Sequence, residues 1–298
     1  MSPTLQVFAR ARGPVSAWVS SPAGPARGTL LCLHGFPDGP STFEAFHAHF
    51  APLGWRVVAP WLRGFSPASA AGPFDLDTLA DDVLDLAAAL EPDAPVHLIG
   101  HDWGAAVACT AATRNPRRVA RLVMLGCPHP MAFIEHLLRS PEQLRMSWYM
   151  GFFQLPWAPE WALRRGLVSK LWRAWSPRTT PPSAHLAEVE AAIAASLPGA
   201  IAAYRAMVWP PGPALRRVLE GARGRRKVAV DTLLMQGADD ACIAPESGAR
   251  AAAHHTGRFE HLVIADAGHF LHLEAPAAVI SEITRWIDEP TTCASAEG

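Results

Sequence analysis

The sequence predicts an α/β fold: a mostly parallel central sheet flanked by helices, interrupted by one inserted helical cap. Three observations carry that expectation. Short apolar, β-rich runs alternate with segments whose apolar residues recur at helical spacing, the pattern of a sheet covered on both faces. The alternation stops at residue 131 and resumes near residue 228. Between those points stand Trp148, Trp157, Trp161, Trp172, Trp175 and Trp209 and both tyrosines, Tyr149 and Tyr204, without a convincing strand. At 298 residues the chain exceeds the usual single-core size, so a core split by a subdomain is the expected arrangement. The division reads as core over residues 1–130, cap over 131–227 and core again over 228–298.

In chain order, residues 5–10 and 15–20 alternate and read as two antiparallel edge strands joined at Gly13-Pro14. Thr29-Leu30-Leu31-Cys32-Leu33 is continuously apolar, as a strand buried on both faces should be. It runs into His34-Gly35-Phe36-Pro37-Asp38, and a helix is expected from Ser41. A strand follows at 55–59. Asp75 or Asp77 then caps a helix with Leu79, Val83, Leu86, Ala87 and Leu90 on one face. Val96-His97-Leu98-Ile99-Gly100 is the next strand, followed by a helix to about Arg114 and the strand Arg121-Leu122-Val123-Met124-Leu125. In the insertion, residues 131–139, 161–176 and 184–196 have helical periodicity. Strand character returns at Asp231-Thr232-Leu233-Leu234-Met235-Gln236 and at 260–264, with a helix near 247–254 between them. A last helix from Pro276 places Val279, Ile280, Ile283, Trp286 and Ile287 on its buried face, and residues 290–298 read as a frayed end.

Composition excludes several classes. The formal net charge is −1, which offers no basic field for nucleic acid or an acidic membrane surface. The basic stretch Arg223-Gly224-Arg225-Arg226-Lys227, with Arg216 and Arg217 upstream, lacks interleaved aromatics and reads as a solvated connector. Cys32, Cys109, Cys127, Cys242 and Cys293 are odd in number and scattered, which suggests reduced thiols in a cytoplasm rather than disulfides or a zinc site. The N-terminus lacks a basic region followed by an apolar one, and no apolar run reaches membrane-spanning length. The expected protein is cytosolic, a monomer or homodimer, with no nucleic-acid or membrane partner.

Gly100-His101-Asp102-Trp103-Gly104 has the form small-x-nucleophile-x-small at a strand-to-helix turn, the "nucleophile elbow". A side chain at either glycine would strike neighbouring backbone. The central residue is a carboxylate, whose reference pKa of about 3.9 leaves it anionic at neutral pH, so it attacks without a base. That suits displacement at a saturated carbon. Gln236-Gly237-Ala238-Asp239-Asp240 supplies an acid, with Asp240 preferred to Asp239, and Ala267-Gly268-His269-Phe270 supplies a base. All these motifs follow strand ends, at the carboxyl edge of the sheet, in the chain order nucleophile, acid, histidine. The backbone amides of Phe36 and Trp103 are placed to form an oxyanion hole. His34 reads mainly as support for its loop.

Taken in order, these motifs resemble the epoxide hydrolases of the α/β-hydrolase superfamily, over residues 30–287. His34-Gly35-Phe36-Pro37 is similar to the family's HGxP motif. Cys127-Pro128-His129-Pro130 resembles the entry to its cap, and Ser147-Trp148-Tyr149-Met150 with Phe152-Phe153-Gln154-Leu155-Pro156 resembles the segment bearing a ring-opening tyrosine. The resemblance implies a cis Phe36–Pro37 bond, an alkyl-enzyme ester on Asp102, and a water activated by His269 and Asp240. It implies Tyr149 as proton donor, His34, Pro37, Trp103, Tyr149 and Phe153 around the substrate, and a small epoxide and water as partners, with no cofactor and no metal. The sequence departs from the family at the second cap tyrosine. Residues 185–192 contain His185, Glu188 and Glu190 but no tyrosine, and Tyr204-Arg205 resembles a pair found further downstream. Tyr204 is preferred to His185 as second donor. A haloalkane dehalogenase, which shares the Asp-Trp elbow but needs a second N–H donor for halide, is the alternative; a non-catalytic binding module is the other.

Overall fold

The structure, a computed structural model, describes residues 2–10, 12–65, 72–179, 182–222, 224 and 226–289. Eight strands form one sheet: β1 (Thr4–Phe8), β2 (Val15–Ser20), β3 (Thr29–Leu33), β4 (Arg56–Pro60), β5 (Val96–His101), β6 (Val119–Leu125), β7 (Thr232–Gly237) and β8 (Phe259–Ile264). Their spatial order is β1-β2-β4-β3-β5-β6-β7-β8. The pairs β1/β2 and β2/β4 are antiparallel, and every other pair is parallel. One sequence expectation needs correction here. Of the first two strands β1 alone lies at an edge, because β2 buries Val15, Ala17 and Val19 and pairs with β4 on its other side.

Helices flank the sheet as the alternation requires. Before the insertion come α1 (Glu44–Phe50), α2 (Leu76–Leu90) and α3 (Trp103–Arg114). The insertion contributes α4 (Pro130–Arg139), α5 (Pro141–Met146), α6 (Trp148–Phe152), α7 (Ala158–Ala162), α8 (Val168–Trp175), α9 (Ser183–Ser196), α10 (Ala202–Ala206) and α11 (Pro211–Ala222). The chain closes with α12 (Leu271–Glu274) and α13 (Pro276–Asp288). The continuous helix expected over residues 161–176 is broken, because Gly166 adopts φ +87° and separates α7 from α8. The run Pro245–His254 is a 3₁₀ helix rather than an α-helix. No single helix among the described residues is long and apolar enough to cross a membrane.

Strand alternation decides which layer each residue joins. Leu31, Leu33, Val58, Leu98, Leu122, Met124 and Leu234 face α2, α3 and the insertion. Leu30, Cys32, Val57, Ile99, Val123, Leu125, Leu233 and Met235 face α1 and α13, where Phe46, Phe50, Ile283 and Trp286 cover them. Both faces are therefore dry, which is why the central strands read as unbroken apolar runs. Truncating a fully buried residue such as Leu233 to alanine costs about 2–5 kcal/mol.

Asp75, not Asp77, caps α2: its carboxylate accepts from the N–H groups of Asp77 and Thr78. Asp77 instead gathers arginines. Arg217 reaches it at 2.9 Å, Arg226 at 3.0 Å and Arg114 at 3.5 Å. The basic stretch is accordingly not simply solvated, since Arg217 and Arg226 tie the end of the insertion to the start of α2; Arg223 and Arg225 lie outside the described residues, as do residues 290–298 and with them Cys293.

Candidate active site

The sharp bend between β5 and α3 places Asp102 at φ 52° and ψ −117°, a conformation a residue with a side chain adopts only when its surroundings force it. The surroundings do force it. A Cβ at Gly100 would sit 2.3 Å from the carbonyl oxygen of Gly104, and one at Gly104 would sit 2.0 Å from that of Leu33. Strand and helix thus meet backbone to backbone. The buried carboxylate of Asp102 has fixed partners: Oδ1 accepts the Phe36 N–H at 2.8 Å, and Oδ2 lies 3.5 Å from His269 Nε2. Trp103 opens α3, where the first N–H groups have no partner within the helix.

His269 stands between two carboxylates. Its Nδ1–H donates to Asp240 Oδ2 at 2.9 Å, while Asp240 Oδ1 accepts the Cys242 and Ile243 N–H groups at 2.8 Å each. Asp239 instead pairs with Arg178 on the surface at 2.9 Å, which separates the two neighbouring acids. Burial works against the charge on His269, but Asp240 and Asp102 outweigh it and hold its pKa well above the ordinary value. Burial likewise works against the Asp102 anion, yet the hydrogen bond and charge of His269, with the Phe36 amide, hold that carboxyl below its ordinary value.

A mostly apolar cavity of about 140 Å³ opens in front of Asp102, walled by Trp103, Cys127, Phe133, Met207 and Ile243 among others. Tyr149 on α6 and Tyr204 on α10 line it too, with ring centroids 5.7 Å apart and nearly perpendicular planes. Burial raises both hydroxyls well above the ordinary pKa of tyrosine, so both keep their protons at neutral pH. The hydroxyl of Tyr204 is buried and makes no hydrogen bond of normal geometry among the described residues.

Three expected substrate contacts are corrected. His34, Pro37 and Phe153 do not line the cavity. His34 is fully buried, with Nδ1–H donating to the Gly35 carbonyl at 3.0 Å and Nε2 accepting the Leu62 N–H at 3.1 Å, so both its nitrogens are spent on the loop. Pro37 follows a cis bond from Phe36, and its carbonyl accepts the Trp172 indole N–H at 3.0 Å. Phe153 is a second layer, packed edge-on against Phe36, Tyr149 and Tyr204. His185 also lies off the cavity, with Nε2 3.0 Å from Asp38 Oδ1.

Other residues in the site gave little signal in the sequence. Glu274 accepts from the N–H groups of Gly268 and Phe270 and from the Ser176 hydroxyl, bracing the His269 loop. Gln143 on α5 donates to the Cys242 carbonyl at 2.9 Å and accepts the Ala244 N–H at 2.9 Å, which joins the insertion to the Asp240 loop. Behind the base, Asp38, His101 and His272 bring one metal-ligand type of atom each within 4.8 Å of one another. The contact made there with the site is structural: His101 Nε2–H donates to the His269 carbonyl at 3.0 Å.

The alpha/beta hydrolase family model matches residues 30–282, which covers the elbow, the insertion and the histidine loop together. The chain belongs to the alpha/beta hydrolase family. Within it the chain groups with the epoxide hydrolases. It is similar to human epoxide hydrolase 4, 30% identical over 272 residues that cover 88% of this chain and 73% of that one. Epoxide hydrolase 3 of Xenopus tropicalis is 38% identical over 134 residues, covering 44% of this chain and 36% of that one. Among solved structures, one of a set of epoxide hydrolases from hot-environment metagenomes superposes with a TM-score of 0.79 at 24% identity, covering 97% of this chain and 100% of that one. A variant of the Vigna radiata epoxide hydrolase gives 0.77 at 19% identity, covering 96% and 98%. At those identities the two structures speak for the fold alone.

Proposed function

We propose that this hydrolase opens an apolar epoxide to a vicinal diol through a covalent ester on Asp102, with the helical insertion acting as the cap over the site. The observation that carries the reading is the opposition of groups across one cavity: a carboxylate anion fixed at a strained turn on the core side, and two protonated tyrosines on the insertion side. Asp102 attacks an epoxide carbon, the C–O bond breaks, and the ring oxygen takes up negative charge facing Tyr149 and Tyr204. Those hydroxyls hydrogen-bond that oxygen and give it a proton. Ester formation removes the Asp102 charge, so His269 keeps only Asp240 as an anionic partner and releases its proton, which restores the tyrosine that protonated the ring oxygen. The neutral imidazole then takes a proton from water, and the water oxygen attacks the ester carbonyl. The Phe36 N–H, already 2.8 Å from Asp102 Oδ1, holds the resulting oxyanion, with the Trp103 N–H as second donor. Collapse expels the second diol oxygen, which takes the proton held by His269; the remaining water proton passes from the Asp102 carboxyl to His269, and Asp102 is restored as an anion carrying one oxygen from water.

The haloalkane reading fares worse. A halide cradle built from Trp103 needs a second N–H donor, and among the described residues no tryptophan of the insertion lines the cavity. Trp172 spends its indole N–H on Pro37, and Trp175 packs on Tyr149 and His269. The test is a panel of epoxides and haloalkanes scored for diol and for free halide, followed by a single turnover in ¹⁸O-water. Diol formation with label in Asp102, lost in Asp102→Ala, is the expected result. Halide release without diol, or turnover that leaves Asp102 unlabelled, would refute it.

A further inference from the structure

The two tyrosines on the cavity wall are not equivalent. Tyr204 is fully buried, and its hydroxyl, beside Trp103 and Tyr149, makes no hydrogen bond of normal geometry among the described residues. Tyr149 is equally buried, but its hydroxyl lies 3.3 Å from the sulfur of Cys242. Cys242 is not in a neutral place. It directly follows the Asp240 turn, gives its N–H to Asp240 Oδ1 and has its carbonyl held by Gln143. The Cys242 backbone is thus anchored from both the core and the insertion, and its sulfur sits between Tyr149 and His269, with which it also interacts.

We infer that Cys242 is a positioning residue for ring opening: its S–H donates to the Tyr149 oxygen and so turns the tyrosine's own proton toward the cavity. The inference deepens the epoxide reading and rests on it. A phenol has one proton. If Tyr149 gave it to sulfur, a weak acceptor, only a lone pair would face the incoming epoxide oxygen, which is itself an acceptor. With the thiol as donor, the proton is free for the ring oxygen. The thiol can play that part because burial pushes its pKa up to about 11, leaving it protonated at neutral pH. When Tyr149 passes its proton to the opening ring, the O–H bond breaks and the S–H group remains to hydrogen-bond the phenolate, a charge-assisted contact stronger than the resting one. Tyr149 is reprotonated by the proton that His269 gives up once the ester has formed.

The test separates the two chemical steps by rapid quench with a racemic aryl epoxide, following ester on Asp102 by intact mass. Cys242→Ala should form ester about tenfold more slowly, the worth of one charge-assisted hydrogen bond, with substrate KD and the rate of ester hydrolysis within twofold of the parent. Cys242→Ser, which restores an O–H donor of similar size, should recover most of the loss. Thermal unfolding of each variant controls for packing damage. Equal ester formation in Cys242→Ala, or a defect confined to ester hydrolysis, overturns the role of Cys242 while the epoxide reading stands. Absence of any adduct in the parent protein overturns the reading of the site and the role of Cys242 together.

Discussion

Replacing Asp240 by asparagine isolates the second half of the proposed reaction. The amide oxygen can still accept the Cys242 and Ile243 N–H groups now bound at 2.8 Å, so the turn should survive. What changes is the atom 2.9 Å from His269 Nδ1: an acceptor becomes an NH₂ donor. The imidazole then keeps its proton on Nε2, the nitrogen that faces Asp102 at 3.5 Å and that must take a proton from water. A wrong tautomer of this kind costs roughly 10⁴ in rate, or about 5.5 kcal/mol of barrier. Alkylation needs no base and keeps the Phe36 N–H on Asp102, so its rate should fall by less than about tenfold, the effect of one hydrogen bond. The ester should therefore become the dominant enzyme species within one turnover, visible as a stoichiometric mass increase by rapid quench. Stability should respond with a definite sign. Because His269 has a raised folded pKa, its contribution is complete below its unfolded value of about 6.5 and is lost as pH climbs through the folded value. The stability gap between parent and variant should thus narrow toward alkaline pH. If both steps slow equally, or no ester builds up, the assignment of Asp240 as the group orienting the base is wrong.

Gly104→Ala should abolish soluble expression or destabilise by several kcal/mol, since the added carbon meets the Leu33 carbonyl at 2.0 Å; a melting curve within a few degrees of the parent would contradict that geometry. Asp77→Asn leaves Arg114, Arg217 and Arg226 without their shared anion and should cost about 2 kcal/mol, measured by urea unfolding. Asp77 has a depressed pKa, burial being overcome by the Arg226 hydrogen bond and the arginine charges, so the cost should be complete above its unfolded value and fade as pH falls through the folded one. His185→Gln should remove about 1 kcal/mol of stability at mildly acid pH and little at alkaline pH. Its pKa is raised, because Asp38 outweighs the opposing burial; a pH-independent loss would show that the pair is not ionic.

The features most legible in the sequence were those set by backbone geometry. A five-residue turn with glycines on both sides of Asp102 admits few structures, and apolar strands ending in Gly237-Ala238-Asp239-Asp240 and Gly268-His269 brought the remaining groups to the same edge. Asp240 rather than Asp239 is the neighbour that meets His269, while Asp239 pairs with Arg178. Contacts between distant segments were less legible. His34 and Pro37 belong to the loop under Asp102, but nothing in the local sequence tells that both are consumed by Leu62 and Trp172. Asp77 reads as a helix cap until the arginines far along the chain fold back on it. The short helices α5, α6 and α10 lack the length for periodicity to register, and so the neighbours of Tyr149 could not be inferred.

The path of the chain between β6 and β7 limits how this protein can be rebuilt. Those strands run parallel, pairing Leu122 with Thr232 and Leu125 with Met235. The polypeptide therefore departs from one end of the sheet after Leu125 and must re-enter from the opposite end before Thr232. Direct ligation of the two stumps would invert β7 or leave it unpaired, since parallel neighbours require a crossover of about a dozen residues or more. A chimaera that exchanges the insertion for another must therefore supply a return limb of its own before Asp231, and a core without the insertion has to be designed with a substitute for it.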